Sequence, residues 1–340
     1  MPTLSVVIVT HHSAPAIERT VGALVAELRD GDELIVVDNE SFDETVACVR
    51  ELAPDATVIE TGANLGFSAA CNRGAEAATG ELLCLLNPDA VPDRGWRDAI
   101  ERPLIDDRGW AAWQALVTAE NSTRINTWGG VVHFTGISWA GGAGEPIESI
   151  PTTEPGFVSG ACLAIERRRY LELGGMPDEF FLYHEDVDLS LRARLAGGVL
   201  GLERTARVDH DYDFTKGAYK WRLLERNRWA TLIRTYPGGL LVLLAPGLIA
   251  TELALVFVAA AGGWLPQKVA AWADTVRWLP RLLRERRAIQ AGRVVSPGAF
   301  ARSLTAGLDS SYLGVAGRSR VLGAALGAYW RLVLVVLGRG

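Results

Sequence analysis

The chain has 340 residues, enough for one large domain or two modest ones. Hydrophobic residues make up 49% and the mean hydropathy is +0.15, high for a purely soluble enzyme. The net charge of −6 conceals a division: residues 215–340 carry 18 Lys+Arg against 5 Asp+Glu, a net of +13, and residues 1–214 carry 16 against 35, a net of −19. The basic part is also the apolar part, which favours an anionic membrane surface over nucleic acid, and no nucleic-acid module is recognisable. Cys48, Cys71, Cys84 and Cys162 show no paired or metal-like spacing and read as reduced thiols of a cytosolic protein. Met1-Pro2-Thr3-Leu4 has neither a basic start nor a long apolar run, so no secretory signal is expected.

In chain order, Leu4–Thr10 reads as a buried strand, His11-His12-Ser13 as a loop, and Pro15 opens a helix to about Arg29. Asp30-Gly31-Asp32 turns into a second strand, Glu33–Asp38, and Asp43 is expected to cap a helix over Glu44–Leu52. Thr57–Glu60 is a short third strand. Gly62-Ala63-Asn64-Leu65-Gly66-Phe67 is a glycine-flanked loop, and a helix from Ser68 runs to about Thr79. Leu82–Leu86 is an uninterrupted apolar run, too short for a helix and suited to a strand buried on both faces. Asn87-Pro88 ends it, because proline has no N–H for a ladder. Asp89 therefore follows the carboxyl end of a central strand. The βαβαβαβ alternation predicts an α/β fold with a mostly parallel, doubly wound sheet. Its carboxyl edge, with Asp38 and Asp89, is where such sheets bind ligands. On these residues alone, Asp89 is either a turn carboxylate or the holder of a hard cation against a diphosphate.

Residues 91–155 contain Trp96, Trp110, Trp113, Trp128 and Trp139 and read as a hairpin or lid facing an acceptor, with most of the tryptophans in the core. Pro155–Ile165 returns to a strand, where Gly160-Ala161 leaves room for a ligand. Arg167–Leu173 is a short helix stopped by Gly174-Gly175. Phe180-Phe181-Leu182-Tyr183-His184-Glu185-Asp186-Val187-Asp188 forms a second chemical centre. A helix dipole accounts for Asp188. The apolar wall before Glu185 and Asp186 raises a carboxyl pKa towards that of a useful base. His210 is either structural or a contact to metal or phosphate. Lys220, Arg222, Arg226 and Arg228 share one helix, whose default role is a solvated basic face.

No GxGxxG follows the first strand and no GxxxxGK[ST] occurs, which weighs against a nicotinamide-binding fold and a P-loop ATPase. The first strand, then Val37-Asp38-Asn39-Glu40-Ser41-Phe42-Asp43-Glu44-Thr45, Asn64-Leu65-Gly66-Phe67-Ser68-Ala69-Ala70-Cys71-Asn72-Arg73-Gly74 and Leu86-Asn87-Pro88-Asp89 follow in that order. This series resembles glycosyltransferase family 2, its rhamnosyltransferase-like branch above all, over roughly residues 3–236. The resemblance implies a GT-A fold and inverting transfer of a sugar from a nucleotide diphosphate. It places Thr10 and Asp38 at the base and ribose, and Asn64, Gly66, Asn72 and Arg73 beside the nucleotide. Asp89 falls on the last acid of the family's DxD metal motif, with Asn87 in place of the first. Asp186 falls on the general base, with Glu185 as its neighbour, His210 on a metal or diphosphate contact, and Arg226 near the diphosphate. His11-His12 departs from the Tyr-Asn of many relatives, which loosens the expected base contact.

The expected cofactor is Mg²⁺ or Mn²⁺, the expected donor dTDP-rhamnose, and the expected acceptor a saccharide or polyprenyl-linked sugar at the cytoplasmic face of the plasma membrane in cell-envelope synthesis. Another UDP- or GDP-sugar is the alternative donor. A non-catalytic sugar- or nucleotide-binding scaffold is the alternative of another class, against which Asp38, Asp89, Glu185 and Asp186 all speak. A nucleotidyltransferase would want a basic glycine loop where Thr10-His11-His12-Ser13 stands.

The expected organisation is a catalytic domain over 1–236, with a nucleotide-sugar half (1–90) and an acceptor half (91–236), and a membrane-associated helical tail over 237–340. From Gly238 to Trp264 the only ionisable side chain is Glu252, a length within the range of a membrane span. Pro246-Gly247 and Glu252 point to a bent, re-entrant or interfacial helix pair. Trp264, Trp272 and Trp278, with Arg277, Arg281, Arg284, Arg286 and Arg287, read as an amphipathic interfacial helix, and Tyr329–Leu337 as a second apolar piece.

Overall fold

The computed structural model describes residues 1–151, 154–210, 217–308 and 319–338. The chain forms two compact units. Met1–Gly130, Ala140–Ala193 and Gly198–Tyr212 make the first; Val131–Trp139, Arg194–Gly197 and Asp213–Gly340 make the second.

In the first unit, β1 (Leu4–Thr10), β2 (Glu33–Asp38), β3 (Thr57–Glu60) and β4 (Leu82–Leu86) pair in parallel in the order β3-β2-β1-β4. The crossovers are α1 (Ala14–Val25), α2 (Thr45–Leu52) and α3 (Gly66–Ala77). β5 (Val91–Pro92), α4 (Trp96–Ile105), β6 (Trp110–Ala119), β7 (Arg124–Thr127), the paired strands β8 (Gly130–Val132) and β9 (Ser138–Ala140), most of whose residues count with the second unit, β10 (Cys162–Glu166), α5 (Arg167–Glu172), α6 (Glu185–Leu195) and β11 (Val199–Asp209) follow. β10 inserts antiparallel between β4 and β6, and β6 runs parallel to β11. This is the mostly parallel α/β sheet read from the sequence.

Side-chain alternation assigns the sheet's two faces. Val6, Ile8, Val36, Leu82, Cys84 and Leu86 join one core cluster, and Val7, Val9, Ile35, Val37, Leu83 and Leu85 join the other. Both faces are covered, so β1 and β4 are apolar at nearly every position and wholly buried. Residues 91–155 contain the expected hairpin, β6 against β7, but also add to the main sheet. Trp110–Ala119 is a ten-residue strand inside the main sheet, because Ala111–Thr118 are all buried there. Trp96, Trp113 and Trp139 are core residues, as expected of most tryptophans. All four cysteines are free thiols.

The second unit is helical: α7 (Tyr219–Thr235), α8 (Gly238–Ala261), α9 (Leu265–Ala291), α10 (Pro297–Ala301) and a last helix, Arg320–Leu337. The expected bend at Pro246-Gly247 does not break α8, which is one helix of 24 residues. Proline removes an intrahelical bond. The Tyr329 hydroxyl reaches into the ladder there, donating to the Leu243 carbonyl at 2.6 Å and accepting from the Gly247 N–H at 3.4 Å. Among the described residues, α8 and Arg320–Leu337 are long and apolar enough, by length and composition, to cross a membrane. The Trp- and Arg-rich segment is the single helix α9, with Val269, Val276, Leu283, Arg277, Arg284 and Arg287 exposed.

Glu252, the lone acid of α8, faces inward. It pairs with Arg228 and with Lys268 (3.0 Å), and accepts from the Trp272 indole N–H at 2.9 Å. Glu225 closes the cluster against Arg228 (3.0 Å) and Lys268 (2.5 Å). Two acids and two bases balance, which is what allows ionised groups inside an apolar bundle. Lys268 is fully buried, so Lys268→Met is expected to destabilise this unit by about 3–5 kcal/mol, the cost of removing one partner from a buried ionic cluster. Urea unfolding followed by circular dichroism measures it; a change under 1 kcal/mol contradicts the assignment.

Candidate active site

The predicted residues of the first unit collect at the carboxyl edge of the sheet. Thr10 and Asp38 end β1 and β2 and face each other in register. The Thr10 hydroxyl donates to Asp38 Oδ1 at 2.8 Å, and the Ser41 N–H donates to Oδ2 at 2.9 Å. Both side chains are buried. Asp38 thus shapes the Asn39–Ser41 turn as well as standing at the edge. Beside it His11 and His12 are exposed, their rings 4.3 Å apart, with the exposed Phe42 ring 5.7 Å from His12. This is an open aromatic surface of the kind a base stacks on.

Asn39, which sequence reasoning passed over, joins this edge to the next loop. Its amide donates to the Gly66 carbonyl at 3.1 Å and its Oδ1 accepts from the Leu65 N–H at 3.4 Å. The only signal in the sequence is its position directly after a strand-ending aspartate. Asn64 makes a local turn by accepting from the Gly66 N–H at 3.0 Å. Gly66 has φ of +82°, and a Cβ built there would lie 2.5–2.7 Å from Phe181, ring and backbone. The close approach that requires glycine is therefore to protein. The Phe181 carbonyl accepts from the Phe67 N–H at 2.6 Å, at the start of α3.

Two residues expected beside the nucleotide differ in their engagement. Asn72 uses all four amide valences internally. It donates to the Met176 carbonyl (2.7 Å) and Asp178 (2.6 Å), and accepts from the Tyr170 hydroxyl (2.6 Å) and the Met176 N–H (2.9 Å). It braces the turn after α5. Arg73, one residue on, is exposed.

Past β4, the Asn87 N–H donates to the Ala161 carbonyl at 3.0 Å, fixing the start of the Asn87–Asp89 turn on the loop that leads into β10. Asp89 is 43% exposed and its Oδ1 lies 2.9 Å from Nε2 of the buried His210, just after β11. The His210 N–H donates to the Thr118 carbonyl and its own carbonyl accepts from Asn126, both from the β6–β7 hairpin.

Asp186 opens α6. Its Oδ2 accepts from the Gly160 N–H at 3.1 Å and its Oδ1 from the Val187 N–H at 2.8 Å. Burial raises its pKa to about 6 in spite of these bonds. Glu185 is buried, and its Oε2 has no hydrogen-bond partner among the described residues. Burial first, and the Asp186 charge second, push its carboxyl well above the usual range. Asp188 is fully buried against Arg192 (Nε–Oδ1 2.6 Å) and is structural, as its place at a helix start suggests. Phe181, Tyr183 and His184 all have left-handed φ, of 64°, 73° and 67°. Such a run of non-glycine residues is costly and is found where a site dictates backbone shape. Phe, Tyr and His carry no sequence signal for it.

The two chemical centres meet at consecutive residues. Gly160 binds the Asp186 carboxylate, and Ala161 binds the strand end that carries Asp89. Residues 5–172 match the family model described as Glycosyl transferase family 2. The chain is a glycosyltransferase with a family 2 domain over residues 5–172. This family 2 transferase is 27% identical over 235 residues to the N-acetylglucosaminyl-diphospho-decaprenol L-rhamnosyltransferase of Mycobacterium tuberculosis, covering 61% of this chain and 75% of the relative. Two solved structures share its GT-A fold. One is GalNAc-T7 with UDP, GalNAc and Mn²⁺: TM-score 0.56, 18% identity, over 70% of this chain and 49% of that one. The other is the mannosyltransferase PcManGT of Pyrobaculum calidifontis with GDP-Man and Mn²⁺: TM-score 0.51, 20% identity, over 86% of both. Of the residues expected at the site of this transferase, Arg226 alone belongs to the helical unit. There its guanidinium lies 4.3 Å over the Trp278 ring and its Nε donates to Asn227 Oδ1 at 2.9 Å.

Proposed function

We propose that this transferase moves rhamnose from dTDP-rhamnose to a polyprenyl-linked saccharide, with inversion, at the cytoplasmic face of the plasma membrane. The observation that carries the reading is the shared strut Gly160-Ala161, which sets a carboxylate of pKa about 6 beside the strand end bearing Asp89. The rhamnosyl donor is favoured by the Mycobacterium tuberculosis relative, whose name specifies an L-rhamnosyltransferase acting on a decaprenol-linked sugar. The membrane location is favoured by the two apolar helices and the net charge of +13 over residues 215–340.

Asp186 acts as general base. Its carboxylate takes the proton of the acceptor hydroxyl as that oxygen attacks the anomeric carbon from the face opposite the nucleotide, giving one displacement and inversion. Glu185, neutral beside it, keeps the pair from carrying two adjacent charges. Thr10, Asp38, Asn64, Gly66, Asn87 and Arg73 border the donor, with Asn72 acting through the turn it braces. Catalytic and donor residues thus lie in the first unit, Arg226 apart.

The Asp89–His210 pair fits a divalent cation. A half-exposed carboxylate oxygen and an imidazole nitrogen 2.9 Å apart suit Mn²⁺ or Mg²⁺, with donor phosphate oxygens and water as the remaining ligands. Among the described residues no cluster of three or more His, Cys, Asp or Glu side chains forms a ready-made cage, so the donor itself has to complete the site. The bound ion would neutralise the diphosphate.

The test is transfer from labelled sugar nucleotides to an N-acetylglucosaminyl-diphospho-polyprenol, with Mg²⁺ or Mn²⁺. Product from dTDP-rhamnose alone is expected; product only from a UDP- or GDP-sugar overturns the donor. Asp89→Ala is expected to weaken dTDP-rhamnose binding at least tenfold in Mn²⁺ and not at all in EDTA, read by calorimetry. Equal loss in both conditions removes Asp89 from the metal.

A further inference from the structure

The helical unit contains a groove that neither the transfer chemistry nor the family match explains. One stripe of α8, from Leu241 through Ala245 and Leu248 to Val256, forms its floor, and Trp229 of α7 and Trp272 of α9 form its walls. The residues recur at helical spacing over fifteen positions, about 22 Å of helix. The space is about 360 Å³, open along one side, within the roughly 300–1,000 Å³ range of small-ligand clefts.

Glu252 is the one ionisable residue in the lining, and its carboxylate is taken up by Arg228, Lys268 and the Trp272 indole. An apolar occupant therefore meets no uncompensated charge. The same bond satisfies the Trp272 indole N–H, so this wall presents no unpaired donor to the groove. The outer face of the same helix exposes Val242, Phe257 and Val258, and its most apolar window has a mean hydropathy of 2.3 with 11% of it buried. Ile249 and Leu253 line the groove and are themselves exposed, so a hydrocarbon phase against this side of α8 would give a chain lateral entry without crossing water. The opposite flank is closed, since the last helix lays Tyr329 on Leu243 and Gly247.

We propose that this groove seats the isoprenoid chain of the lipid-linked acceptor, an inference that rests on the reading of the acceptor given above. A branched, unsaturated chain packs against two indole faces and aliphatic side chains by contact alone. The groove then selects acceptors by their lipid, independently of the sugar.

The test uses the full chain in dodecyl maltoside, titrated calorimetrically with farnesyl monophosphate, dodecyl phosphate and inorganic phosphate. Ala245→Phe fills the groove from an exposed position of its floor, and Ala250→Phe adds the same bulk on exposed α8 surface outside it. Farnesyl phosphate is expected to bind at least tenfold more tightly than dodecyl phosphate, with inorganic phosphate silent. Ala245→Phe is expected to weaken it at least tenfold and Ala250→Phe to leave it unchanged. In transfer assays Ala245→Phe is expected to raise KM for a polyprenyl-linked acceptor at least tenfold with donor KM constant. Unchanged farnesyl binding in Ala245→Phe overturns the proposal. So does preference for dodecyl phosphate, which marks a site for bilayer acyl chains, and so does a change in oligomeric mass in Ala245→Phe, which marks an interface between copies. The expected binding pattern without any sugar transfer supports the groove and sinks the acceptor reading instead.

Discussion

Asp186→Asn is expected to lower kcat by roughly 10²–10⁴-fold and, at neutral pH, to make the protein more stable. Both effects come from one fact: the carboxylate is held partly buried with its pKa raised to about 6. The unfolded chain ionises this group near 3.8, so between pH 4 and 6 the folded state binds the extra proton. Stability therefore falls as pH rises through that window, and the cost is complete above pH 6. It amounts to about 3 kcal/mol for the wild-type side chain. An amide escapes that cost but weakens the bonds from Gly160 and Val187, so the expected net gain is about 1–2 kcal/mol, a rise of a few degrees in Tm. The gain should shrink towards zero as the pH falls through 4, because the unfolded wild-type carboxyl then takes up its proton as well. Thermal melts of the two proteins at pH 4 and pH 7.5 measure it. The wild-type rate should rise with pH, reach half its maximum near 6 and level off above 7. A variant that keeps most of its turnover, or a rate flat from pH 5 to 8, removes Asp186 as the base.

Gly66→Ala is expected to be nearly as damaging without touching a reacting atom. Its φ of +82° already penalises alanine, and the added methyl would stand 2.6 Å from the Phe181 carbonyl oxygen and 2.7 Å from its Cα. Backbone has to move. The segment that moves is Phe181–His184, three of whose four residues have positive φ, and the next residues are Glu185 and Asp186. A misplacement of about 1 Å at a general base costs on the order of 10²-fold in rate. We expect kcat to fall by about that factor and stability by roughly 2–4 kcal/mol. Gly62→Ala is the control: its φ is +70° but a methyl there has open space, so only the backbone term of about 1–2 kcal/mol should appear, with kcat unchanged. Equal kinetic effects in the two variants would refute the route through Phe181.

Legibility in the sequence followed the range of the forces involved. Asp38, Asp89 and Asp186 were readable because each sits at a strand end or helix start that local pattern marks, whereas Thr10 was singled out only by the family resemblance. The buried runs Leu4–Thr10 and Leu82–Leu86 are apolar on both faces because both faces are covered. Asn72 was readable as a polar helix residue, but its engagement with Tyr170, Met176 and Asp178 depends on partners about a hundred positions away. Trp110–Ala119 was readable as part of a hairpin, which it forms with β7, but its place inside the main sheet between β10 and β11 was not, since a buried run flanked by tryptophans does not state which strands will accept it. Pro246 did not break α8, where the Tyr329 hydroxyl bridges the next rung by accepting from the Gly247 N–H and donating to the Leu243 carbonyl, a contact that no local pattern states.

The sequence by itself determined the alternation of strands and helices, the placing of acids at the carboxyl edge, and the split between an acidic, sheet-forming part and a basic, apolar one. Only the tertiary structure decided that Gly160-Ala161 joins the Asp186 carboxylate to the Asp89 strand end, that burial raises the Glu185 carboxyl above its usual range, and that Glu252 turns inward onto Arg228 and Lys268. The reason is physical. Periodicity and turn chemistry act over a few residues, whereas desolvation and ion pairing depend on which distant groups share one small volume, and no local pattern encodes that.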